Sequence, residues 1–293
     1  MNPPSLTAII VAHDSADVLP ACLAALAREG VSALVVDNAS TDGTIAVAEA
    51  GGARVIASAT NEGYGRGNNL GFAAATTEFC LLLNPDIELA PGAVAELLAA
   101  VDRAPDAGMW APRIVEPDGR LFFQNTSLLV ESVLGRTVAG DARAHPPTGD
   151  VCAPFLSGAC FVMRRADFLT MGGFDPEIFL FYEDDDLCRR LRDQGKALVH
   201  VHGAVVQHLR GKSAPATPAR RYKTRWHIGW SRVHVARKYG LPTGAALTVA
   251  KNLPKAILAL ASFNRREIAR YWGIVGGTIA ALRGRSALER EGL

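Results

Sequence analysis

Short apolar runs alternate with helical patterns through the first hundred residues of the chain. This alternation constrains the fold strongly, because one parallel strand can follow another only after a crossover, which is usually a helix. The predicted strands cover residues 6–12, 33–36, 54–57 and 79–83, and the helices between them cover residues 17–28, 43–50 and 66–75. We therefore expect an α/β fold with a mostly parallel central sheet flanked by helices.

The pattern is more varied in the second part of the chain. We predict a helix over residues 91–101, a hairpin over 113–123, a loop-rich insertion over 125–150, strands over 155–163, 197–201 and 204–207, and helices over 185–194 and 220–239. Pro215 and Pro218 indicate a boundary. The expected organisation is an α/β domain over residues 1–214 and a basic helical extension over residues 215–293.

The charge of the chain is divided unevenly along its 293 residues. Residues 1–193 carry 13 arginines and 26 acidic residues, whereas the remaining hundred carry 18 basic residues and 3 acidic ones. No acidic residue occurs between Asp193 and Glu267. The basic part therefore needs an anionic counterpart, which could be a membrane surface, a second subunit, a nucleic acid or the acidic part of the same chain.

Cysteine usage and hydropathy indicate in which cellular compartment the protein occurs. The five cysteines are odd in number and include no Cys-x-x-Cys pair, which argues against a disulfide framework and a zinc site. No basic segment precedes the first apolar run, so we predict no secretory signal. The apolar stretch over residues 241–263 is interrupted by two lysines, an asparagine and a proline. We expect a cytoplasmic protein that does not span a membrane.

Polar residues follow the predicted strands at the sheet edge where open parallel sheets bind ligands. Ala12 and His13 follow the first strand. Asp37 and Asn38 follow the second, where a carboxylate can accept hydrogen bonds from a nucleobase or a ribose. A helix cap or a turn would explain the same pair equally simply.

Two further segments combine turn residues with candidate ligands. Residues 61–69 are rich in glycine and lead into a helix, which permits close backbone approach to a diphosphate but is also typical of a tight turn. Asn84-Pro85-Asp86 ends a very apolar strand, so a carboxylate there could bind a hard divalent cation. A turn with proline at its second position is the alternative.

Four consecutive acidic residues, Glu183 to Asp186, follow another apolar run. Clustered carboxylates repel one another, which raises a proton affinity and suits a general base. The helix dipole would also favour acidic residues in a first turn, and both roles can coexist. Downstream, His200, His202 and His208 occur in a strand region. One of them could join Asp86 in binding a metal, although single histidines near strands are more often structural.

Seven short motifs in this order closely resemble those of the family-2 inverting glycosyltransferases, and most closely the bacterial rhamnosyltransferase branch. The motifs cover residues 35–43, 61–72, 81–86, 156–159, 172–175, 182–188 and 208–213, and the resemblance extends over about residues 5–240. It implies a GT-A fold and transfer of a sugar from a nucleoside diphosphate sugar to an acceptor hydroxyl, with inversion at the anomeric carbon.

The resemblance also implies roles for individual residues. Asp184 would be the catalytic base, and Asp86, at the last position of the Asp-x-Asp motif, would bind Mg²⁺ or Mn²⁺ together with His208. Asn84 replaces the first aspartate of that motif and offers a neutral ligand at best. The candidate residues for donor binding are Ala12, His13, Asp37, Asn38, Gly63, Asn68, Asn69, Asn84, Glu183, Arg210 and Lys212.

The implied donor is dTDP-rhamnose, with a UDP-hexose as the alternative, and the implied acceptor is a lipid-linked or polysaccharide hydroxyl in cell-envelope synthesis. We therefore expect peripheral attachment to the cytoplasmic face of the inner membrane, with a homodimer as another use of the basic extension. A non-catalytic sugar-nucleotide-binding protein is a further alternative. A nucleic-acid-binding protein is the other alternative, because basic charge with interleaved Trp and Tyr can hold single strands. It leaves the acidic cluster and Asn84-Pro85-Asp86 unexplained, so no nucleic-acid partner is expected.

Overall fold

The computed structural model describes residues 6–123, 127–130, 147–209 and 217–293. Ten strands of this part of the chain form one sheet. They are β1 (Leu6–Ala12), β2 (Ser32–Asp37), β3 (Arg54–Ala57), β4 (Phe79–Leu83), β5 (Ile87–Leu89), β6 (Met109–Val115), β7 (Leu121–Phe122), β8 (Val151–Cys152), β9 (Cys160–Arg164) and β10 (Leu198–His208).

Helices flank this sheet and follow it in the chain. They are α1 (Leu19–Arg28), α2 (Thr44–Ala50), α3 (Tyr64–Ala74), α4 (Ala93–Arg103), α5 (Arg165–Thr170), α6 (Glu183–Asp193), α7 (Pro218–Lys238), α8 (Ala245–Ala261), α9 (Arg265–Leu282) and α10 (Ala287–Glu291). The helices predicted from sequence begin and end within two residues of the observed α1, α2, α3, α4, α6 and α7.

The sheet has the strand order β3-β2-β1-β4-β9-β6-β10-β5, with β7 beside β6 and β8 beside β10. Strands β1 to β4 pair in parallel, as do β6 and β10. Strand β9 runs antiparallel to both of its neighbours. The expectation of a mostly parallel sheet therefore holds for the part that carries β1 to β4, and β9 reverses the direction at the centre.

Two apolar layers hold the sheet between helices. On one face, side chains of α1, α2 and α4 pack against the sheet around the fully buried Trp110. On the other face, α3, α5 and α6 pack around Phe72, Phe168 and Phe174. Phe72 and Phe168 stack with their ring centroids 3.7 Å apart. Burial on both faces explains why β1 and β4 are continuous apolar runs rather than alternating patterns.

Three of the predicted strands differ from those observed. The strand predicted over residues 155–163 begins at Cys160, and the residues before it form a loop. The strands predicted over residues 197–201 and 204–207 are the single strand β10, in which an irregularity between Val201 and Val205 accommodates the extra residues. Most of the predicted insertion over residues 125–150 lies outside the described residues.

Helix α7 packs lengthwise against α9 beyond the sheet. Trp226, Trp230 and Val233 of α7 are buried there together with Phe179. This aromatic face of α7 is covered by α9 and by the segment over residues 178–182. None of the helices in the described parts of the chain is long and apolar enough to cross a membrane.

Close contact between α7 and α9 depends on glycine. A Cβ atom at Gly277 would overlap the backbone carbonyl of Trp226, and one at Gly229 would approach Ile274 in the same way. We expect Gly277→Ala to lower the free energy of unfolding by about 2 kcal/mol, although alanine favours helices, because overpacking outweighs propensity. Urea denaturation measures this. Gly149→Ala, where nothing lies within 4 Å of the added carbon, is the neutral control.

Candidate active site

Strands β1 and β2 end side by side, with Ala12 opposite Asp37 in their parallel register. The Asp37 side chain is buried, and its Oδ2 accepts a hydrogen bond from the Ser40 amide at 3.0 Å. Its Oδ1 is also buried and has no hydrogen-bond partner among the described residues. A buried carboxylate oxygen normally has a partner, so this atom is available to a ligand donor at the sheet edge.

Asn38 and His13 are brought to the same edge. The Asn38 side chain donates to the Gly63 carbonyl at 2.9 Å and accepts from the Glu62 amide at 2.9 Å. Both ends of this amide are thus used to tie β2 to the glycine-rich loop. Nδ1 of His13 lies 2.9 Å from the Asn38 carbonyl, and much of the imidazole is exposed. The exposed imidazole of His13 can contact a ligand directly. The Asn38 side chain instead positions the glycine-rich loop over residues 61–69.

The glycine-rich loop contacts protein rather than open space. Gly63 has a φ of +82°, and a side chain on it would overlap the Phe179 carbonyl. A Cβ at Gly67 would lie 2.9 Å from the Val11 side chain. The contacts observed at Gly63 and Gly67 therefore favour the tight-packing interpretation of these glycines over the diphosphate cradle.

The two asparagines of α3 differ in what they offer. Both ends of the Asn69 amide bond to the backbone of Phe174, at 2.8 and 2.9 Å, so this side chain holds the turn that follows α5. Asn68 is buried and donates to the Tyr64 carbonyl, while its Oδ1 has no partner among the described residues. Of the two, Asn68 has the free acceptor that ligand binding would need.

The turn after β4 and the end of β10 bring Asp86 and His208 together. Asp86 Oδ1 lies 3.2 Å from His208 Nε2, and the Leu209 amide donates to the Asp86 carbonyl at 3.0 Å. Both side chains are largely buried. Residues 86 and 208 are far apart in the chain, and the antiparallel pairing of β10 with β5 sets their register. One carboxylate and one imidazole thus converge on a single point.

Asp184 lies in the first turn of α6. Its Oδ2 accepts from the Gly158 amide and its Oδ1 from the Asp185 amide, both at 3.0 Å. Burial raises the pKa of Asp184, and the two amide hydrogen bonds oppose that rise without cancelling it. Burial and the neighbouring Asp184 charge also raise the pKa of Glu183, whose Oε2 has no partner among the described residues.

The loop before β9 joins these two groups. The Gly158 amide binds Asp184, and the carbonyl of the next residue, Ala159, accepts from the Asn84 amide at 2.9 Å. Tyr64 donates its hydroxyl to the Gly158 carbonyl at 2.6 Å. Two consecutive residues, Gly158 and Ala159, therefore connect Asp184 of α6 to the turn after β4 that contains Asn84 and Asp86.

The remaining carboxylates of the acidic cluster have structural partners. Asp185 accepts a hydrogen bond from the Leu129 amide, and burial raises the pKa of its carboxyl group to about 7. Asp186 is fully buried, and it binds Arg190 at 2.8 Å, Lys238 at 2.7 Å and the Tyr239 hydroxyl at 2.8 Å. Asp185 and Asp186 are therefore held by contacts within the protein, whereas the described partners of Asp184 are the backbone amides of Gly158 and Asp185.

Helix α7 holds the strained turn that precedes Asp184. Phe181 and Tyr182 both have a φ of +70°, which is unfavourable for side chains of this size. The Ser231 hydroxyl donates to the Leu180 carbonyl at 3.0 Å, and Lys238 pairs with Asp175 at 2.7 Å. These contacts come from the extension and over-determine the turn, which is the condition under which backbone strain persists.

Some sequence candidates lie elsewhere, and some participants had no sequence signal. Arg210 and Lys212 lie outside the described residues. His200 packs edge-on against Phe123 with a centroid distance of 4.9 Å, as a structural histidine does. Lys238 and Tyr239 reach Asp186 through tertiary contacts that no local pattern indicates. The loop at Gly158 is part of a motif in the sequence resemblance, which is the signal that could have identified it.

Comparison with known proteins bears on this arrangement. Residues 7–171, more than half of the chain, match the family described as Glycosyl transferase family 2. The chain belongs to this family. The N-acetylglucosaminyl-diphospho-decaprenol L-rhamnosyltransferase of Mycobacterium tuberculosis H37Rv is 34% identical over 226 residues, 68% of this chain and 73% of that protein. The low-salt glycan biosynthesis hexosyltransferase Agl10 of Haloferax volcanii is 27% identical over 193 residues, 62% of each chain.

Solved structures show the same fold. The mannosyltransferase PcManGT from Pyrobaculum calidifontis, in complex with GDP-Man and Mn²⁺, aligns over 98% of this chain and 89% of its own, with 16% identity and a TM-score of 0.59. The structure of GalNAc-T7 with UDP, GalNAc and Mn²⁺ aligns with this glycosyltransferase at a TM-score of 0.57 and 16% identity. The alignment covers 98% of this chain and 59% of that chain. The predicted GT-A fold and the predicted enzyme class, a glycosyltransferase, are confirmed.

Lys238 is expected to be a positioning residue in this glycosyltransferase. Burial alone would lower the pKa of Lys238, but its hydrogen bonds with Asp175 and Asp186 outweigh burial and raise the pKa. The ammonium group therefore stays charged and pairs with both carboxylates. We expect Lys238→Met to lower kcat about tenfold with KM nearly unchanged, because Asp186 loses an ion pair two residues from Asp184. Steady-state kinetics measures the split, and Lys238→Arg should restore most of kcat. An unchanged kcat in Lys238→Met contradicts the role.

Proposed function

We propose that this glycosyltransferase moves a sugar from a nucleoside diphosphate sugar to a hydroxyl of a lipid-linked or polysaccharide acceptor, with inversion at the anomeric carbon, in cell-envelope glycan synthesis. Two observations together carry the proposal: Asp86 lies 3.2 Å from His208, and residues 158–159 hydrogen-bond both to Asp184 and to Asn84, two residues before Asp86. An inverting transfer needs a cation site for the leaving diphosphate and a base for the attacking hydroxyl. Residues 158–159 contact both the turn that carries Asp86 and the helix that carries Asp184.

Asp86 and His208 have the donor set for a divalent cation. A carboxylate oxygen and an imidazole nitrogen suit Mn²⁺, and a carboxylate suits Mg²⁺. No cluster of three or more protein ligands occurs among the described residues, so the diphosphate and water would complete the coordination. When bound, the cation would neutralise charge on the departing diphosphate. Asp86 and His208 would hold it, with the Asn84 side chain as a neutral neighbour.

Asp184 is the proposed general base. It would take the proton of the acceptor hydroxyl while that oxygen attacks the anomeric carbon from the face opposite the diphosphate. The bond between the anomeric carbon and the diphosphate oxygen breaks in the same displacement, and the nucleoside diphosphate leaves with the electron pair. The amides of Gly158 and Asp185 orient the carboxylate, and its raised pKa makes it a better proton acceptor than an exposed aspartate.

The nucleoside would lie at the ends of β1 and β2. Asp37 Oδ1 supports this, because it is a buried acceptor without a described partner. His13 and the backbone of Ala12 would line the same pocket, and Asn68 Oδ1 would add a second acceptor. Arg210, Lys212 and Glu183 complete the proposed donor contacts from the sequence resemblance. Asn38, Asn69 and Gly63 support the pocket through the protein contacts described above.

For the donor, we propose dTDP-rhamnose, with a UDP-hexose as the second candidate. The support is the 34% identity to a protein described as an L-rhamnosyltransferase acting on N-acetylglucosaminyl-diphospho-decaprenol. The acceptor class follows from the same likeness. We further propose residues 1–214 as the catalytic domain, residues 215–293 as its helical extension, and peripheral attachment to the cytoplasmic face of the inner membrane.

A donor panel tests this function. The purified full chain is incubated with dTDP-rhamnose, UDP-glucose, UDP-N-acetylglucosamine and GDP-mannose, each with and without Mn²⁺ or Mg²⁺, and thermal shift and donor hydrolysis are recorded. The expected result is a cation-dependent rise in Tm with dTDP-rhamnose, followed by turnover when a polyprenyl-diphospho-N-acetylglucosamine acceptor is added. A response to a UDP-hexose alone would replace the donor. Binding without turnover for every donor and acceptor would instead indicate a non-catalytic sugar-nucleotide-binding protein.

A further inference from the structure

Exposed apolar side chains are concentrated on α8 and the turn that follows it. Half of the ten large hydrophobic residues that are exposed in the described parts of the chain lie within seventeen positions. They are Leu247, Ile257, Leu258, Leu260 and Phe263. Soluble proteins expose single apolar residues everywhere, but a contiguous group of this kind marks an interaction surface. We call this group, with the turn over residues 262–264, the apolar ridge.

The ridge has a defined face. Ala245, Ala256 and Ala259 are the buried residues of α8, so this helix rests on the protein through small side chains. Leu247, Pro254 and Leu258 are spaced by seven and four residues and therefore share the opposite, outward face. A helix with alanines inside and leucines outside has its larger apolar surface facing away from the core, the reverse of the usual arrangement.

Phe263 is presented at the tip of the ridge. It is 87% exposed and its backbone has a φ of +53°, a conformation that is costly for a bulky residue. Asn264 follows immediately and caps α9 by accepting from the amides of Arg266 and Glu267, which fixes the turn. The conformation would suit glycine better, so the backbone alone does not account for an aromatic side chain here.

Cations lie beside the ridge, and Glu267 is the one acidic residue of the sequence from position 194 to position 288. Lys251, Lys255, Arg265 and Arg266 are all exposed beside the ridge. No acidic residue occurs between Asp193 and Glu267, and the Glu267 carboxylate lies 3.6 Å from Arg270. By contrast, α7 finds partners within the protein, where Lys238 binds Asp175 and Lys223 binds Glu291. Part of the positive charge that stays exposed is therefore next to the apolar ridge, and Arg220, Arg283 and Arg285 are exposed as well.

We propose that the apolar ridge inserts into the interfacial region of an anionic lipid membrane. Leu258, Ile257 and Phe263 would enter the acyl boundary, while Lys251, Lys255, Arg265 and Arg266 would contact lipid phosphates. An in-plane helix with an apolar outer face and basic flanks has this chemistry. A symmetric contact between two copies through the same surface would bring like charges together, which disfavours the homodimer as its occupant. The inference deepens the proposed function, because a lipid-linked acceptor is reached at that surface.

Co-sedimentation with vesicles tests the proposal. Full-length protein is mixed with phosphatidylcholine vesicles with and without phosphatidylglycerol, in the absence of donor and acceptor. We expect binding that requires phosphatidylglycerol. The double variant Leu258→Gln with Phe263→Ser should bind at least about tenfold more weakly, through loss of apolar burial. Lys251→Gln with Lys255→Gln should bind about twenty-five-fold more weakly, at about fivefold for each lysine.

A matched control separates the ridge from exposed apolar surface in general. Leu169 on α5 is 38% exposed and lies in the catalytic part, so Leu169→Gln should bind vesicles like the unchanged protein. Circular dichroism and Tm confirm that each variant folds. Absence of binding to phosphatidylglycerol vesicles, or binding unaffected in the double variant, overturns the proposal. So does a dimer in sedimentation equilibrium that becomes a monomer in the double variant, because the occupant is then a second copy.

Failure of this inference differs from failure of the proposed function. Donor hydrolysis in solution, without vesicles, should be the same for the ridge variants and the unchanged protein, because the ridge residues lie outside the proposed site. Vesicle binding that persists in a protein without sugar transfer would reject the enzyme assignment and retain the ridge. Transfer to a soluble acceptor without vesicle binding would reject the ridge alone.

Discussion

Asp184→Asn is expected to reduce sugar transfer about a thousandfold or more, while donor affinity changes less than about threefold. General-base catalysis contributes about two to four orders of magnitude, and an amide in this position cannot take the acceptor proton. Asparagine keeps the size of the side chain and an oxygen that can accept from the Gly158 amide. Single-turnover rates measured beside donor titration separate the two quantities.

The pH dependence gives a second readout for the same residue. Burial raises the pKa of both Asp184 and Glu183, so these carboxyl groups keep their protons to higher pH than ordinary ones. A base works only when deprotonated. The transfer rate of the unchanged enzyme should therefore fall on acidification at a higher pH than it would with an exposed aspartate as the base, and the residual rate of Asp184→Asn should lack this dependence.

Asp193→Asn is the matched control for that variant. Asp193 lies on the same helix, is exposed and pairs with Arg189 at 2.7 Å, so its loss affects a surface ion pair of little energetic weight. Transfer and its pH profile should stay within about twofold of the unchanged enzyme. If Asp184→Asn loses donor affinity as severely as transfer, Asp184 is holding the structure, and the base must be sought elsewhere.

Asp86→Ala is expected to weaken cation-dependent donor binding about a hundredfold and to abolish the difference between titrations with and without Mn²⁺. The substitution removes the anionic ligand of the proposed pair, so the largely buried His208 would be the remaining protein ligand of the cation. Calorimetric titration with the nucleoside diphosphate, with and without Mn²⁺, measures the effect. His208→Ala should cause a similar loss, and the double variant little more, since both residues would serve one ion.

Glu88→Gln is the control for the metal site, because this carboxylate lies two residues along the chain on β5. Its cation dependence should match that of the unchanged enzyme. A titration of Asp86→Ala that responds normally to Mn²⁺ would remove Asp86 from the site. It would also leave the 3.2 Å contact with His208 as a structural ion pair.

Strands β1 and β4 could be predicted from the sequence as apolar runs because both of their faces are buried. Strands β1, β3 and β4 match their predicted bounds, and each is set off by polar or glycine residues. The segment over residues 155–159 misled the prediction, since its apolar side chains serve a loop that packs on α6 and connects Asp184 to Asn84. Local apolar content cannot distinguish a strand from a buried loop of this kind.

Sequence motifs indicated which residues are candidates for the site, but not the environment of each carboxylate. Asp86, His208 and Asp184 were identified from the sequence, and the fold brings Asp86 and His208 together across β5 and β10. The sequence assigned Asp184 to the chemistry and Asp185 and Asp186 to the helix, but it gave no sign of which residues hold Asp185 and Asp186. Asp186 differs from Asp184 through Lys238 and Tyr239, which lie more than fifty positions away in the chain. The environment that separates two like groups is a tertiary property.

The sequence alone determined the order of strands and helices, the residues at the strand ends and the division between an acidic part and a basic part, because these follow from local pattern and composition. Only the tertiary structure decided where the basic charge is used. Packing of α7 on α9 and on the turn before Asp184 neutralises part of that charge inside the protein. It leaves Lys251, Lys255, Arg265 and Arg266 exposed beside an apolar ridge, since which face of a helix is covered depends on its neighbours.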